Sequence, residues 1–558
     1  MELFKIKGLP VSGLGVVTAI LLLIPSVYWI LNDNRVWPWD QALYGEITLD
    51  IFRAYGQGFV PGMEAMITAV SFKPPALMWV SQPFVFLELL TKRMEPALLF
   101  SILVAHGVLL VALYHIAVEA YGDSRGRILA LAPVVFLAST PVFIGLSHQF
   151  FVEPLQTAIV ALSYWLLAVS RRISRIRVLG HFVLLASLSL AVKTTTFLYN
   201  GLPLLLIFIY LLKDKREFLG RSYSWKEIGY LAFAMMIFLV TASWYWVNAE
   251  AMLEHVRNSA LGSVALHYGS DSPFFTKVVF WAKSAVSALF VYPLLMWVFV
   301  LVLAAGVWKY FFGKRRQLHR LGNDEVNGHH RYLVPTAAAH VMLVVTVLSL
   351  QINEETRFLE PALPAVFIVL AYAMARLHGR LVPALFAMLS LLQWGAVHGQ
   401  LVGQEFDIRT DFPWAVPLVA DRKEYGMLSE VVDVTCKEDS KNRISIIGVE
   451  YSWLNHNSAN FFSAKKALDS GYKCAYTSLG YAAADIERAV ERFRSFMPKY
   501  FVSVYPSKME PPNYLNKLSE PFFYLIKRSP SWEVIKTIGG RLVVFRSRAD
   551  DTGLGSAE

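Results

Sequence analysis

Residues 11–46 read VSGLGVVTAILLLIPSVYWILNDNRVWPWDQALYGE, and this stretch decides the class of the protein. The run from Val11 to Leu31 carries no charged side chain, and a helix that crosses a bilayer needs about 20 mainly apolar residues. A secretory signal peptide would end at an A-x-A-like cleavage site, whereas Trp37-Pro38-Trp39 follows here. We therefore expect a retained transmembrane helix, followed at once by a segment that contains carboxylates.

The chain as a whole has the composition of a membrane protein. Of its 558 residues 55% are hydrophobic and 17% are charged, whereas soluble domains carry about 25% charged residues. A mean hydropathy of +0.45 points the same way. The apolar runs predict a polytopic α-helical membrane protein with about eleven transmembrane helices. These runs are Val11–Leu31, Ala97–Ala120, Ile128–Ser147, Pro154–Ser170, Val178–Thr195, Leu202–Leu212, Ile228–Val247, Ala285–Phe311, Tyr332–Gln351, Phe358–Ala375 and Val382–Val397.

The basic residues of the short loops predict the orientation. If the eleven helices alternate in direction, these residues fall on one side, which the positive-inside rule assigns to the cytoplasm. Lys92 and Arg93 are exceptions, but they are outnumbered. We expect a bacterial inner-membrane protein with a cytoplasmic N-terminus and an extracytoplasmic C-terminal domain. The basic residues on the cytoplasmic side are Lys5, Lys7, Arg125, Arg127, Arg171, Arg172, Arg175, Arg177, Lys213, Lys215, Arg216, Arg221, Lys226, Lys314, Arg315, Arg316, Arg320, Arg331, Arg376 and Arg380.

The distribution of charge argues against a nucleic-acid partner. The net charge is +10, but from Val402 onward 21 Lys and Arg stand against 20 Asp and Glu. The excess positive charge therefore lies in the membrane half, in short loops between apolar runs. That pattern is typical of an orientation signal and not of a basic surface that binds phosphates along a duplex.

Two regions outside the spans are predicted to fold. We assign residues 1–400 to a transmembrane domain whose extracytoplasmic first loop covers residues 32–96, and residues 401–558 to an extracytoplasmic α/β domain. In the first loop, Leu43 to Tyr55 forms a helical apolar stripe. The apolar stretch Ala76–Leu90 is of marginal length for a transmembrane helix, and its length fits an interfacial or re-entrant helix better.

The C-terminal region alternates between helical and strand-like patterns. Helices are expected at Glu424–Val434 and Ala483–Phe496, and strands at Ile444–Val449 and Tyr500–Tyr505. A hairpin is expected around Gly539-Gly540, between Trp532–Ile538 and Leu542–Phe545. Two cysteines, Cys436 and Cys474, make neither a metal site nor a disulfide framework. An extracytoplasmic location permits one disulfide, and two unpaired thiols are the alternative.

Charged residues near the outer ends of the helices are the candidates for chemistry, because an ionisable group at membrane depth is costly. Asp40 directly follows the first helix and could act as a general base or bind a metal; the alternative is a helix N-cap. Lys73 begins Lys73-Pro74-Pro75 and could bind phosphate, or could be an interfacial lysine that reaches toward water.

A second group of candidates lies on the later outer loops. Glu153 opens the fourth helix, where the helix dipole favours a carboxylate in any case. Lys193 stands near the outer end of the fifth helix, and could reach an anion or extend to the interface. Arg357 suits bidentate phosphate recognition, although a pair with Glu354 is an equal alternative. His148 and Gln149 share the loop of Glu153.

Several motifs in this order resemble those of the C-type membrane glycosyltransferases, specifically the protein O-mannosyltransferase superfamily that includes the bacterial aminoarabinose transferases acting on lipid A. The family's Asp-Glu-x-x-Tyr-x-Glu element is matched by Asp40-Gln41-Ala42-Leu43-Tyr44-Gly45-Glu46. Its Lys-Pro-Pro element is matched by Lys73-Pro74-Pro75, and its acidic-Pro pair by Glu153-Pro154. Weaker matches are Ala191-Val192-Lys193 and Arg357-Phe358-Leu359-Glu360-Pro361. The resemblance covers roughly residues 10–400.

The resemblance implies a C-type fold and an inverting transfer of sugar from a polyprenyl-phosphate donor to an extracytoplasmic acceptor, which would be a lipid, a polysaccharide or a protein. It implies that Asp40 and Glu153 are catalytic and that Lys73, Lys193 and Arg357 bind the donor phosphate. The residues expected to line the substrate pocket are Tyr44, Glu46, His148, Gln149 and Glu354.

The sequence departs from the family pattern at three positions. Gln41 replaces the second acid of the first motif, Leu43 replaces a residue that is often Arg, and Glu153 stands where Asp is usual. The loss of the second carboxylate counts against a metal site more than against a single general base. A divalent metal is still a possible cofactor, and no other cofactor is expected.

Two other functions fit a polytopic chain with a few charged side chains. A lipid or solute transporter or flippase would place its charges near the bilayer midplane, often with inverted repeats, whereas no repeat is visible here. A non-catalytic membrane scaffold derived from a transferase is the other alternative, and the altered first motif is the feature that favours it.

Overall fold

The structure is a computed structural model that describes residues 12–121, 126–213, 223–260, 265, 268–312, 327–377, 379–402, 416–438, 443–480, 485–510 and 515–548. Several basic residues used for the orientation lie outside the described residues, as does Ala483 at the start of a predicted helix. Those basic residues are Lys5, Lys7, Arg125, Lys215, Arg216, Arg221, Lys314, Arg315, Arg316 and Arg320.

The described part of the chain is mostly helical. The helices are α1 (Gly13–Asn32), α2 (Trp39–Gln57), α3 (Phe59–Thr68), α4 (Ala76–Val85), α5 (Glu88–Thr91), α6 (Met94–Tyr121), α7 (Gly126–Leu129), α8 (Leu131–Ser139), α9 (Pro141–Ser147), α10 (Glu153–Val169), α11 (Arg175–Val192), α12 (Thr196–Leu212), α13 (Trp225–Ala260), α14 (Phe274–Leu289), α15 (Pro293–Phe312), α16 (Asn327–Leu350), α17 (Leu363–Arg376), α18 (Leu381–Leu401), α19 (Lys423–Thr435), α20 (His456–Ser470), α21 (Ile486–Phe496) and α22 (Ser519–Arg528). Two 3-10 helices cover Thr356–Ala362 and Pro506–Lys508.

The predicted apolar runs form helices that could cross a membrane. Among the described residues, seven helices are long and apolar enough by length and composition, and two bent pairs raise the number to nine. Two further apolar helices, Glu153–Val169 and Thr196–Leu212, are shorter. Each of the eleven predicted runs coincides with one of these segments, so the prediction of a polytopic α-helical membrane protein is confirmed.

Two of the predicted runs are broken and not continuous. The helix axis turns by 65° between Ser139 and Pro141, and by 112° between Leu289 and Pro293. Both breaks come directly before a proline, which lacks an N–H group and disfavours helical backbone in the residue before it. The run Ala285–Phe311, expected as one helix, is therefore two helices, and the apolar helix begins already at Phe274.

The chain divides into two compact units, which are described separately. Unit 1 consists of Met1–Leu31, Val70–Val80 and Leu99–Pro417, and unit 2 of Asn32–Ala69, Ser81–Leu98 and Leu418–Glu558. Most of the first loop is thus grouped with the C-terminal region.

Unit 1 is held together by apolar packing with a few buried polar anchors. Phe136 on α8 packs against Phe299, Phe367 and Phe386 at ring-centroid distances of 4.9–5.7 Å. The Gln393 side chain donates hydrogen bonds to the carbonyls of Ser139 and Leu289 at 3.1 and 2.9 Å, just where α8 and α14 end. The amide thereby satisfies carbonyls that have no partner within their own helix.

Unit 2 joins helix α2 to the C-terminal region. Trp37 stacks on Phe461 of α20 with ring centroids 5.1 Å apart. A Cβ atom on Gly45 would lie 2.7 Å from Phe461, so a glycine at this position allows the two helices to approach closely. The ammonium of Lys465 binds Glu95 at 2.5 Å and lies 3.6 Å from the Phe462 ring centroid. Such an enclosed cation is stabilised by both the carboxylate and the ring.

The C-terminal region contains a five-stranded mixed sheet in the order β2-β1-β3-β5-β4. Strand β1 is parallel to β2 and β3, whereas β5 is antiparallel to β3 and β4. The strands are β1 (Ile444–Ile447), β2 (Ala475–Ser478), β3 (Tyr500–Val504), β4 (Trp532–Ile538) and β5 (Leu542–Ser547). The expected hairpin is present, and Gly539 and Gly540 both have positive φ, at 59° and 63°, as a tight two-residue turn requires.

The two cysteines of the chain form a disulfide between Cys436 and Cys474, with Cα atoms 5.5 Å apart. It joins the end of α19 to the residue before β2. Of the two alternatives that the sequence left open, the structure has the disulfide.

Candidate functional site

Three predicted site residues meet in unit 1, and we name Glu153, Lys193 and Arg357 the charged cluster. The Nζ atom of Lys193 lies 2.9 Å from Oε1 of Glu153, and Nε of Arg357 lies 3.5 Å from the same oxygen. Glu153 is the first residue of α10, Lys193 follows the last residue of α11, and Arg357 lies in the 3-10 helix before α17. Three helix ends that are distant in sequence thus place two cations on one carboxylate oxygen.

The cluster is largely shielded from solvent. The side chain of Glu153 is 1% exposed, and those of Lys193 and Arg357 are 23% and 16% exposed. The second oxygen of Glu153, Oε2, is buried and has no hydrogen-bond partner among the described residues. A carboxylate so buried is stable as an ion only while its counter-charges remain next to it.

Aromatic rings hold the two cations in place. Nζ of Lys193 lies 4.2 Å from the ring centroid of Phe358, and the Arg357 guanidinium lies 4.4 Å from that of Phe151. The Tyr199 hydroxyl donates to the carbonyl of Phe358 at 2.8 Å, which fixes the segment that carries Arg357. Each cation is thus attracted both to the ring beside it and to the carboxylate that it binds.

The guanidinium of Arg357 has a second carboxylate partner that the sequence did not single out. Its Nη2 lies 2.7 Å from Glu355 Oε2, whereas Glu354, the expected partner, accepts a hydrogen bond from Ser270 at 2.9 Å. Glu355 is 28% exposed. Arg357 therefore bridges a buried and a partly solvated carboxylate.

A buried hydrogen-bond network that begins three residues after Arg357, at Glu360, was not predicted from the sequence. His106 Nε2 lies 2.8 Å from Glu360 Oε1, and His106 Nδ1 lies 2.9 Å from the Ser147 hydroxyl. All three side chains are fully buried. Glu360 occupies the variable position of the Arg-aromatic-Leu-x-Pro motif. The one sequence feature that could have indicated it is an acid three residues after Arg357. His106 and Ser147 had no such feature, because their partners are distant in sequence.

The residues of unit 1 that were expected to line a substrate pocket contact neighbouring parts of the protein. His148 is buried and stacks on Trp29 at 4.1 Å, with Nε2 3.2 Å from the Ser26 hydroxyl. The Gln149 amide donates to the Gly145 carbonyl at 3.2 Å. His148, which follows α9, thus contacts α1, and a substrate-pocket role for His148, Gln149 and Glu354 stays a prediction.

Lys73 also belongs to unit 1, in the segment just before α4. The carbonyl of Val70 accepts a hydrogen bond from the Trp244 indole at 2.9 Å, and the rings of Phe72 and His255 are 5.1 Å apart. Helix α13 therefore holds the chain that leads into Lys73-Pro74-Pro75. The two prolines then start α4 at Ala76, as prolines suit the beginning of a helix.

Asp40, Tyr44 and Glu46 lie on helix α2 of unit 2. The N-cap of α2 is Pro38 and not Asp40, so the capping alternative for Asp40 does not hold. Tyr44 is buried. Glu46 binds Lys473 at 2.6 Å, and Asp50 shares the same ammonium. Burial raises the pKa of Glu46, although Lys473 opposes the shift.

Within the described part of the chain, no group of three or more His, Cys, Asp and Glu side chains is placed to hold a metal ion. Asp40 therefore has no second and third ligand of these types around it there. The possible divalent metal stays a prediction.

No family model matches the chain, and no curated protein sequence matches it significantly. The crystal structure of ArnT from Cupriavidus metallidurans bound to undecaprenyl phosphate has a TM-score of 0.53 at 14% identity, covering 98% of this chain and 100% of that chain. The apo form of the same protein gives 0.51 and 13%, covering 96% and 97%. The oligosaccharyltransferase of Archaeoglobus fulgidus with zinc and sulfate is more distant, with a TM-score of 0.44 at 11% identity, covering 88% and 68%.

At these identities the likeness to ArnT concerns the fold. ArnT is an aminoarabinose transferase of the C-type class, and the match extends over almost the whole of both chains. Together with the apolar helices it supports the fold that the motifs predicted. The chain is an integral membrane protein with the C-type glycosyltransferase fold.

Proposed function

We propose that this chain is a membrane glycosyltransferase that transfers a sugar, with inversion, from a polyprenyl-phosphate-linked donor to an extracytoplasmic acceptor. The acceptor is a lipid, a polysaccharide or a protein of the cell envelope. The C-type fold supports the general kind of activity, and the similar ArnT structure holds undecaprenyl phosphate.

The observation that carries the proposal is the charged cluster. Lys193 and Arg357 are held by rings and by one shared carboxylate oxygen, in a site that is mostly shielded from water. Charge-assisted hydrogen bonds to phosphate are stronger than neutral ones, and a guanidinium can bind two phosphate oxygens at once. In a dry site such cations stabilise the charge that develops on a leaving phosphate.

The other predicted residues receive roles that fit this chemistry. Lys73 supplies a third cation to the phosphate, and Asp40 accepts the proton of the acceptor hydroxyl. The contacts of Glu153 support a positioning role, because its carboxylate holds the two cations. We therefore propose that Glu153, expected to be catalytic, acts by positioning Lys193 and Arg357.

Binding of undecaprenyl phosphate to the purified full-length chain in detergent tests the phosphate site. Each of Lys193→Gln and Arg357→Gln should weaken binding roughly 10- to 100-fold, because a hydrogen bond to a charged group contributes about 1.5–3 kcal/mol. Lys283→Gln and Arg380→Gln are the matched controls, since both side chains are exposed and lie outside the cluster. Equal affinity in all four variants would refute the phosphate site.

Sugar transfer tests the base. Asp40→Asn should leave undecaprenyl phosphate binding intact while lowering transfer about 10²–10⁴-fold, which is the usual contribution of a general base. The exposed carboxylate of Glu64 provides the matched control, Glu64→Gln. Unchanged transfer by Asp40→Asn would remove Asp40 from this role. The sugar and the acceptor would emerge from mass spectrometry of envelope lipids, polysaccharides and proteins of a deletion strain.

A further inference from the structure

The two cations of the charged cluster are already neutralising a buried group, which has a consequence for any phosphate that binds there. Lys193 and Arg357 both contact Oε1 of Glu153, at 2.9 and 3.5 Å. A phosphate that recruits both cations takes from Glu153 the positive charges that stabilise it. The carboxylate is 1% exposed, so water cannot replace them.

A buried carboxylate that loses its counter-charges regains stability most simply by becoming neutral. Oε2 of Glu153 has no hydrogen-bond partner among the described residues, so there is no network on that side to keep the ion stable. Protonation at this oxygen would remove the charge without moving the helix.

The backbone N–H of Glu153 and the N-terminus of α10 favour the anion, but the other described side chains around Glu153 supply no further positive charge. On the 3-10 helix, Glu360 is a second acid, and its closest partner is His106 of α6 at 2.8 Å. Tyr199 of α12 donates to a backbone carbonyl. About three turns further along α10, Tyr164 is bonded to His340 of α16 at 2.9 Å.

The hydrogen bonds of Ser147 indicate how the pair of His106 and Glu360 is protonated. The Ser147 hydroxyl donates its single proton to the Phe143 carbonyl at 2.8 Å, so it accepts from His106 Nδ1. One proton then lies between His106 Nε2 and Glu360. Whether this proton is on the imidazole or on the carboxylate, the pair of side chains has no net charge. Glu360 thus adds no net negative charge beside Glu153, and Glu153 is the carboxylate that responds to the phosphate.

We propose that binding of a polyprenyl phosphate at the charged cluster is coupled to uptake of one proton by Glu153. This inference rests on the proposed function and adds a regulatory property to the same site. Affinity for the phosphate falls as pH rises, because deprotonated Glu153 competes for Lys193 and Arg357. Release of the lipid phosphate after transfer is correspondingly favoured when Glu153 loses its proton and takes back both cations.

The test compares the affinity of the full-length wild type and of Glu153→Gln for undecaprenyl phosphate between pH 6 and pH 9. A phosphate monoester titrates near pH 6, and this titration affects both proteins alike. The ratio of the wild-type Kd to the variant Kd should rise with pH, by at most about tenfold per pH unit for a single coupled proton. Glu355→Gln is the matched control, because Glu355 is partly solvated and its ratio should not change with pH.

A second measurement needs no variant, so it applies even if Glu153→Gln fails to fold. Calorimetric titration of the wild type at pH 8, in buffers of different ionisation enthalpy, counts the protons taken up on binding. Uptake of up to one proton is expected, and zero uptake or net release would overturn the coupling. Binding with a pH-independent Kd ratio would refute the coupling alone, whereas no binding by either protein would refute the proposed function together with it.

Discussion

At the scale of single residues, the charged groups on helix α2 illustrate what a sequence can reveal about a site. Asp40, Glu46 and Asp50 are recognisable as acids beside an apolar stripe. The partner of two of them, Lys473, is more than 400 residues away, and no spacing rule identifies such a pair. Glu153, Lys193 and Arg357 were each predicted, because charge at membrane depth is costly, but their convergence on one oxygen required the structure.

Removal of Lys473 should destabilise unit 2. Lys473→Gln leaves Glu46 and Asp50 without their shared cation, and breaking such a partly buried pair costs less than breaking a fully buried one, for which the loss is about 3–5 kcal/mol. We expect a loss of roughly 2–4 kcal/mol at pH 8, measured by thermal unfolding of the full-length protein. Lys466→Gln, whose partner Asp433 is 62% exposed, should change stability little.

The deficit of Lys473→Gln should depend on pH. Burial alone would lower the pKa of Lys473, but Glu46 and Asp50 outweigh it and raise the pKa. The contribution of this ammonium to stability is therefore complete at neutral pH and is lost only as pH rises beyond the ordinary lysine range. Burial raises the pKa of Glu46, so Glu46 becomes neutral as pH falls and no longer needs a cation. A deficit equally large at pH 5 and pH 8 would contradict this account.

At the scale of elements, composition and length located the helices, whereas the breaks depended on local chemistry. The eleven apolar runs all formed helices, because long apolar segments in a membrane must satisfy their backbone groups internally. The turn of 112° before Pro293 was not predicted, because the hydropathy of an apolar run is the same whether its helix is straight or bent. In the C-terminal region the β-branched runs and the Gly539-Gly540 turn were sufficient to predict four strands. Strand β2 (Ala475–Ser478) was not predicted, because it has only four residues and lacks an apolar run.

Close packing between α15 and α17 provides a prediction at this scale. A Cβ atom on Gly306 would lie 2.5 Å from Cα of Ala373, so Gly306→Ala must push two backbones apart. Small residues at such positions allow membrane helices to approach. We expect about 1–3 kcal/mol of destabilisation, seen as a lower unfolding temperature in detergent. In Gly395→Ala the new methyl group has no atom within 4 Å, and a similar loss there would discount the packing explanation.

At the scale of the whole molecule, the sequence predicted the fold class through motifs spread over some 320 residues, from Asp40 to Pro361, and the likeness to ArnT agrees over nearly the full chain. The grouping of the first loop with the C-terminal region could not be predicted. It depends on pairs such as Trp37 with Phe461 and Lys465 with Glu95, which join distant segments.

The orientation is testable on the intact chain. The positive-inside pattern predicts a C-terminus outside the cytoplasm, and the disulfide between Cys436 and Cys474 suits an oxidising compartment. A C-terminal fusion to alkaline phosphatase should be active in a bacterial host, while a fusion to a fluorescent protein that folds only in the cytoplasm should be dark. The reverse pattern would place Asp40 and the acceptor on the wrong side for the proposed reaction.

A structure of the full-length protein with undecaprenyl phosphate, determined by electron cryomicroscopy in lipid nanodiscs, would show where the lipid phosphate binds. We expect a phosphate within about 3 Å of both Lys193 Nζ and the Arg357 guanidinium, with both cations drawn away from Oε1 of Glu153. A phosphate bound elsewhere, with the contacts between Glu153, Lys193 and Arg357 unchanged, would contradict it.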